Sequence, residues 1–238
     1  TRTTFIIGGK LDQKPVVVVS ALSKVTDLLY KISDAAASKE ETETRDLLKQ
    51  LRDRHTNLAC ELLQQSPALC EAALEKVNDI CDSLDSLAMA VCAVGELSER
   101  NKAKIISNGE LLSSTIICHA MNAKGIRTAF VDARKMMITS GSYLKGEPIT
   151  EEICARVPGI IAEAFNGMDA WKSRLELVTV YIHPLRKMKR MCFCNFSLPR
   201  KERCSLDTIS FSSSVSLYGF CGSIVGKWQS FIGYSCPL

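Results

Sequence analysis

Val16-Val17-Val18-Val19-Ser20-Ala21-Leu22-Ser23-Lys24-Val25-Thr26-Asp27 is the stretch that decides the fold. Four β-branched residues follow Pro15 without any polar alternation. Such a run reads as a strand buried on both faces, the habit of a central strand in a parallel sheet. Ser20 closes the run. Leu22, Val25, Leu28, Leu29 and Ile32 then recur every three or four residues, so a helix is expected at once. A strand feeding straight into a helix is the repeating unit of an α/β fold.

Downstream, Ser38-x-x-Glu41 has the form of a capping box and predicts a second helix. Its apolar stripe runs through Leu47, Leu48, Leu51, His55, Leu58 and Leu62. Ser66-Pro67 breaks the chain, and a third helix is expected over about 68–94, stopped by Gly95. These two segments form a long helical hairpin without strand content. Residues 98–107 read as helical, Asn108-Gly109 as a break, and Glu110 to Ala123 as the next helix, ended by Gly125. Thr128-Ala129-Phe130-Val131 is a second buried strand, ending in Asp132-Ala133-Arg134. A loop-rich stretch follows over 136–148, then a helix from Thr150 to Phe165 in which Pro158 implies a kink.

Near Gly167 the character changes. Glu becomes rare, Ser, Cys and aromatic residues become common, and the strand–helix alternation does not continue. The expected organisation is therefore an α/β domain over 1–166 and a basic, Ser/Cys-rich tail over 167–238, a candidate for poor order. After Trp171 there are ten Lys/Arg against three Asp/Glu, whereas the rest of the chain is slightly acidic; the whole carries +4. A hydrophobic content of 46% with 24% charged residues excludes wholesale disorder and collagen-like chains. No apolar run approaches the ~18 residues of a membrane-spanning helix, so no membrane is expected as a partner. Arg186-Lys187-Met188-Lys189-Arg190 lacks interleaved aromatics, so no nucleic acid is expected either. The 11 cysteines are odd in number and those of the body sit in helix-like segments, which points to reduced, intracellular thiols. There is no CxxC; Cys192-x-Cys194 near His183 is a poor zinc candidate, and no metal site is expected. The opening Thr1 to Ile7 has neither Met nor a signal-peptide core, and reads as an internal start.

In open parallel sheets ligands sit beyond the carboxyl ends of the strands, at helix N-termini. That rule singles out Ser20, Ser23 and Thr26, whose hydroxyls and neighbouring N–H groups suit a carboxylate or phosphate. The same residues equally suit plain N-capping with Thr26 facing solvent. Asp132 and Arg134 suit a structural ion pair. His55, His119 and His183 match no catalytic pattern and read as packed or solvated.

The stretch from Val16 to Asp27 resembles the second-strand motif of aspartate kinases (aspartokinases), including those fused to homoserine dehydrogenase. Gly95-Glu96-Leu97 and Asn108-Gly109-Glu110-Leu111-Leu112-Ser113 resemble the family's Gly-Glu-x-x-Ser motif at a helix start. Gly125-Ile126 and Val131-Asp132-Ala133-Arg134 resemble its next strand. The likeness covers about residues 14–166. It implies a partial amino-acid kinase fold: a three-layer αβα sandwich with a mainly parallel sheet and a long helical insert.

The resemblance also implies a reaction, transfer of the γ-phosphoryl group of ATP, with Mg²⁺, to the side-chain carboxylate of L-aspartate. The product, 4-phosphoaspartate, leads to lysine, threonine and methionine. Carried over residue by residue, Ser20 and Thr26 line the aspartate pocket, Glu110 pairs with the substrate's α-ammonium, Gly109 permits close backbone approach, and Ser113 is a further candidate contact. No catalytic or nucleotide-binding residue is nominated. Only five residues separate Lys10 from Val16, too few for the family's first helix, and its Gly-rich nucleotide loop has no counterpart after Asn166. The expectation is therefore a chain truncated at both ends, without the nucleotide lobe, and weak or inactive by itself. The alternatives are a non-catalytic regulatory fragment pairing with a full-length kinase or with its own copies, and a kinase of another small acid. The expected compartment is the cytoplasm, or the plastid if the source is a plant.

Overall fold

The computed structural model describes residues 16–141, 143, 146–166, 177–181, 208–210 and 216–220. The elements in chain order are β1 (Val16–Val19), α1 (Val25–Ala37), α2 (Glu41–Leu62), α3 (Pro67–Val94), α4 (Glu99–Ala123), β2 (Thr128–Asp132), α5 (Thr150–Asn166), β3 (Leu177–Tyr181), β4 (Thr208–Ser210) and β5 (Ser216–Phe220). The architecture is α/β, with helices outweighing a small sheet.

The valine run is a central strand, as its unbroken β-branching predicts. β1 pairs with β3 in parallel, Val16 opposite Val178, and with β5 antiparallel, Val16 opposite Phe220. Val17 and Val19 are fully buried. The sheet order is β2-β3-β1-β5-β4. The expectation of a mainly parallel sheet needs correction: the β2-β3-β1 half is parallel, and β1-β5-β4 is antiparallel. The loss of strand signal expected after Asn166 is also corrected. β3 lies at Leu177–Tyr181, between β1 and β2, and α5 is the crossover that lets β2 and β3 run the same way. The opening stretch through Lys10, the basic cluster at 186–190, Cys192, Cys194 and His183 lie outside the described residues.

The helical hairpin forms as the apolar stripes predict. Leu48, Leu51 and Ala59 of α2 meet Val77, Cys81, Leu84 and Ala88 of α3, and both join Val25, Leu29 and Ile32 of α1 and Ile105, Leu112 and Ile116 of α4 in one core. His55 is completely buried there; its Nδ1–H donates to the Leu51 carbonyl at 2.7 Å, and burial pushes its pKa down, so the ring is neutral. On the outer seam Arg52 reaches from α2 to Asp82 and Asp85 of α3, 2.7 Å to each, and to Asn78 at 3.1 Å.

Two helix boundaries differ from expectation. Ser38 ends α1 rather than capping α2: its N–H donates to Asp34 O, Lys39 then turns the chain at φ +62°, and no side chain caps Glu41. Asn108-Gly109 breaks nothing, for α4 runs unbroken through both. Gly109 is there for packing. A Cβ at that position would stand 2.9 Å from Ala21 Cβ and 3.1 Å from Leu29 Cδ1, so only glycine lets α4 come this close to the β1–α1 connection.

α4 also runs along β1, β2 and β3. At its far end Asn122 binds β2 as a strand would: its Nδ2–H donates to Thr128 O and its Oδ1 accepts from Thr128 N, both at 3.0 Å. α5 packs Ile153 and Val157 against Val131, Ala133 and Met136. Pro158 lies inside α5. Among the described residues no helix is long and apolar enough to cross a membrane.

Candidate functional site

The chain leaves the sheet at Val19, and α1 does not follow at once: Ser20 to Lys24 intervene as a connection. Lys24 occupies the N-cap position at φ +60°, ψ 2°, and no side chain caps the helix. The N-capping role open to Ser20 and Ser23 is thus not taken up by either. A non-glycine residue in the left-handed region costs on the order of 1 kcal/mol, and such residues gather at ligand sites. The Val25 N–H is satisfied by Leu22 O at 3.0 Å. Beyond it the first turn of α1 points the positive end of a 13-residue helix at the space past β1. Ser20 is exposed there and Thr26 half-buried.

α4 passes this end of β1 side-on and delivers two polar groups to it. Ser113 Oγ donates to the Ser20 carbonyl at 2.9 Å, tying the middle of α4 to the last turn out of the strand. One helical turn earlier, the Glu110 carboxyl accepts from the Ala21 N–H. Glu110 is only 1% exposed, and its Oε2 has no hydrogen-bond partner. Burial pushes the Glu110 pKa up to about 7, against the opposing pull of the N–H groups of Glu110 itself and of Ala21. Ser114 Oγ donates to Glu110 O at 2.6 Å and holds that turn of the helix.

Of the residues singled out by sequence, the structure therefore gathers Ser20, Gly109, Glu110 and Ser113 around the end of β1. Thr26 is the second residue of α1, and no hydrogen bond joins it to Glu110 or Ser113. Glu110 does not stand at a helix N-terminus, as the break expected at Asn108 had implied. It is the twelfth residue of α4, so the helix dipole contributes nothing to its placement. Sequence reading missed the Ala21 N–H, since a backbone donor leaves no mark in side-chain pattern. It also missed the left-handed Lys24, which carries no glycine to announce it.

The other candidates are structural. Asp132 Oδ1 accepts from Arg134 N at 2.8 Å, and the Arg134 guanidinium reaches Asp132 Oδ2 at 2.6 Å, which closes the turn after β2. His119 Nδ1 lies 2.9 Å from Thr115 O on its own helix. Among the described residues no group of three or more His, Cys, Asp or Glu side chains is placed to hold a metal ion.

Chemically, the site is a nearly dry carboxyl with one oxygen anchored and one waiting. An ammonium group would complete its hydrogen bonding and draw it back to the ionised form, because an opposite charge a few ångströms away favours the carboxylate.

No protein-family model matches the chain. It is 26% identical over 163 residues to a bifunctional aspartokinase/homoserine dehydrogenase of the Zea mays chloroplast, covering 64% of this chain and 17% of that protein. It is 30% identical over 133 residues to an aspartokinase of Chlamydia trachomatis, covering 56% of this chain and 27% of that protein. The chain thus spans about a sixth to a quarter of the length of these curated relatives. Among solved structures, Escherichia coli aspartokinase III in complex with lysine and aspartate superposes with a TM-score of 0.61 at 18% identity, over 75% of this chain and 36% of that one. The same enzyme in complex with aspartate and ADP gives 0.55 at 19% identity. In sequence and in fold alike, the chain resembles the aspartokinases.

Proposed function

We propose that the chain carries the amino-acid-binding part of an aspartate kinase-like phosphotransferase, on a partial three-layer αβα scaffold. The observation that carries this reading is the unpartnered Oε2 of buried Glu110 at the carboxyl end of β1. In this reading Glu110 takes the α-ammonium of L-aspartate, and the Ser20 and Thr26 hydroxyls with the first turn of α1 take carboxylate oxygens. Ser113 holds the Ser20 backbone in place. The side-chain carboxylate then stands free to attack the γ-phosphorus of ATP as that phosphorus parts from the bridging oxygen of ADP. The products are 4-phosphoaspartate and ADP. The chain's own contribution is orientation of the acceptor. The described residues do not fit a resident Mg²⁺, for they offer no carboxylate cluster, and no step here passes through one.

The relatives support the reading: the bacterial structures hold aspartate, in one case with ADP. The plant relatives are chloroplast proteins, and a plastid location is part of the proposal, checked by imaging a fluorescent fusion. Among the described residues the exposed large apolar side chains Tyr30, Val94, Phe130, Tyr143 and Ile149 are spread over separate elements and loops.

Calorimetric titration with L-aspartate tests the binding. Aspartate is expected to bind and to raise the melting temperature, with glutamate and UMP weaker, because a ligand of the native state stabilises it by mass action. ADP release, followed separately, tests turnover. Equal responses to all three compounds, or none to aspartate, would overturn the assignment.

A further inference from the structure

His55 is a buried titratable group with no part in the amino-acid site. It lies on α2, and its ring is completely enclosed in the core that α2 builds with α1, α3 and α4. A carbonyl only accepts, so the 2.7 Å contact with Leu51 O puts the proton on Nδ1 and leaves a bare lone pair on Nε2. Nε2 is buried and has no hydrogen-bond partner. The faces packed around α2 hold little that could pair with it. The buried face of α1 carries no ionisable residue, and its Lys31 and Asp34 are exposed. The buried ionisable residues of α3 are Cys81 and Cys92, and burial pushes the Cys81 thiol up to about 11; Glu75, Lys76 and Asp79 are exposed. Those of α4 are Glu110 and Cys118, the latter pushed up to about 12. Glu110 Oε2 lacks a partner just as His55 Nε2 does, so the two atoms do not meet. On α2 itself Arg52 is engaged with Asp82 and Asp85, and Arg54, whose charge opposes protonation of the ring, is exposed.

We propose that His55 is an acid-sensitive latch, which packs the α2–α3 hairpin onto α1 and α4 while it is neutral and releases the hairpin when it is protonated. An imidazolium carries a second N–H, on Nε2, and a full charge. This core offers neither an acceptor for the one nor a counter-charge for the other, and a buried charge left without both is far costlier than an orphaned lone pair. Water supplies what the core lacks, so the protonated ring is stable only where α2 has moved away. Burial depresses the pKa of the packed ring, whereas the ring of the opened hairpin titrates near the ordinary 6.5. The opened form therefore binds more protons in acid. The stability of the packed hairpin is fully present above about pH 6.5 and is lost as pH falls below it toward the folded pKa. Glu110 has the opposite sign, since its folded pKa is raised, so acid tightens the end of β1 while it loosens the hairpin.

The test is amide hydrogen exchange on the full chain, read peptide by peptide by mass spectrometry between about pH 7.5 and pH 5 and corrected for the pH dependence of the chemical rate. In the wild type the protection of α2 and α3 is expected to fall roughly 10-fold over that range, with about 30-fold the limit for a ring that takes no proton while packed. Peptides of β1 and β2 are expected to keep theirs. In His55→Leu and His55→Gln, whose side chains do not titrate, the protection of the hairpin is expected to stay flat; circular dichroism at pH 7.5 verifies folding, and either variant that folds decides the point. The ring's own titration, followed by proton NMR in the wild type, needs no substitution and is expected to have its midpoint below the ordinary 6.5. A midpoint at or above 6.5, a wild-type hairpin whose protection does not change, or an equal fall in a folded variant would overturn the proposal. So would a fall shared equally by β1 and β2, for then the whole fold and not the hairpin answers to acid.

Discussion

Replacing Glu110 with Gln separates the cost of burying this acid from its use. The folded pKa of about 7 stands above the ordinary 4.5 because the carboxyl is buried. The native state therefore holds the proton more tightly than the unfolded chain does. The stability that goes with this proton is thus fully present below about pH 4.5 and is lost as pH rises through about 7. A shift of this size corresponds to about 3 kcal/mol at pH 8 and about 1 kcal/mol at pH 5, at 1.36 kcal/mol per pKa unit. The amide that replaces the carboxyl does not titrate. The stability of Glu110→Gln minus that of the wild type should therefore increase by roughly 2–3 kcal/mol between pH 5 and pH 8, whatever offset the amide brings. Urea unfolding of both proteins across that range measures it, and thermal melts should diverge by roughly 5–10 °C. The same substitution should abolish aspartate binding, while in the wild type binding near pH 6.5 should release a proton, seen as a dependence of the calorimetric heat on buffer ionisation. Stability curves that stay parallel from pH 5 to pH 8 would refute the reasoning, for they would mean that Glu110 is not held in a low-dielectric site.

Three further outcomes follow from the packing. Gly109→Ala should destabilise by about 1–3 kcal/mol in urea, because the new Cβ meets Ala21 Cβ at 2.9 Å and the clash outweighs the ~1 kcal/mol that alanine gains as a helix former. Ser113→Ala removes the 2.9 Å bond to Ser20 O and should cost about 1 kcal/mol of stability, with a several-fold loss of aspartate affinity by calorimetry as the β1–α1 connection loosens. Arg52→Ala unlinks α2 from Asp82 and Asp85; since the arginine is three-quarters buried and binds both, about 1 kcal/mol should be lost at low salt, and less in concentrated salt.

The parts of the fold legible in sequence are those whose burial repeats at short range. The valine run and the leucine stripes of α2 and α3 announce themselves through their residue pattern; Thr128–Val131 does so as a strand but not as the buried one expected, for β2 is the end strand of the described sheet and Phe130 is exposed. Gly109 misleads for the opposite reason. Local rules price a glycine by backbone freedom, whereas here its value lies in what Ala21, 88 residues earlier, requires of it. β3 misleads in another way. Leu177-Val178-Thr179-Val180-Tyr181 has strand-forming residues, but its partners are β1 and β2, far back in the chain, and the change in composition near Gly167 hid the signal. Among the site residues, Glu110 emerged from motif resemblance. Its periodic position alone marks it as one more helical residue, and nothing in the pattern tells that its carboxyl is buried against the Ala21 N–H with one oxygen left unpartnered.

The unbroken course of α4 has a mechanical consequence. A 25-residue helix is about 37 Å long, and this one is gripped near its midpoint by Ser113 on Ser20 and at one end by Asn122 on Thr128. Tilting such a rod by about 5° about its centre sweeps its tips through roughly 1.6 Å. Whatever settles on the carboxyl at the fulcrum therefore tugs on the four-helix core and on the sheet together, so the pivot is also where a signal from one would be felt by the other.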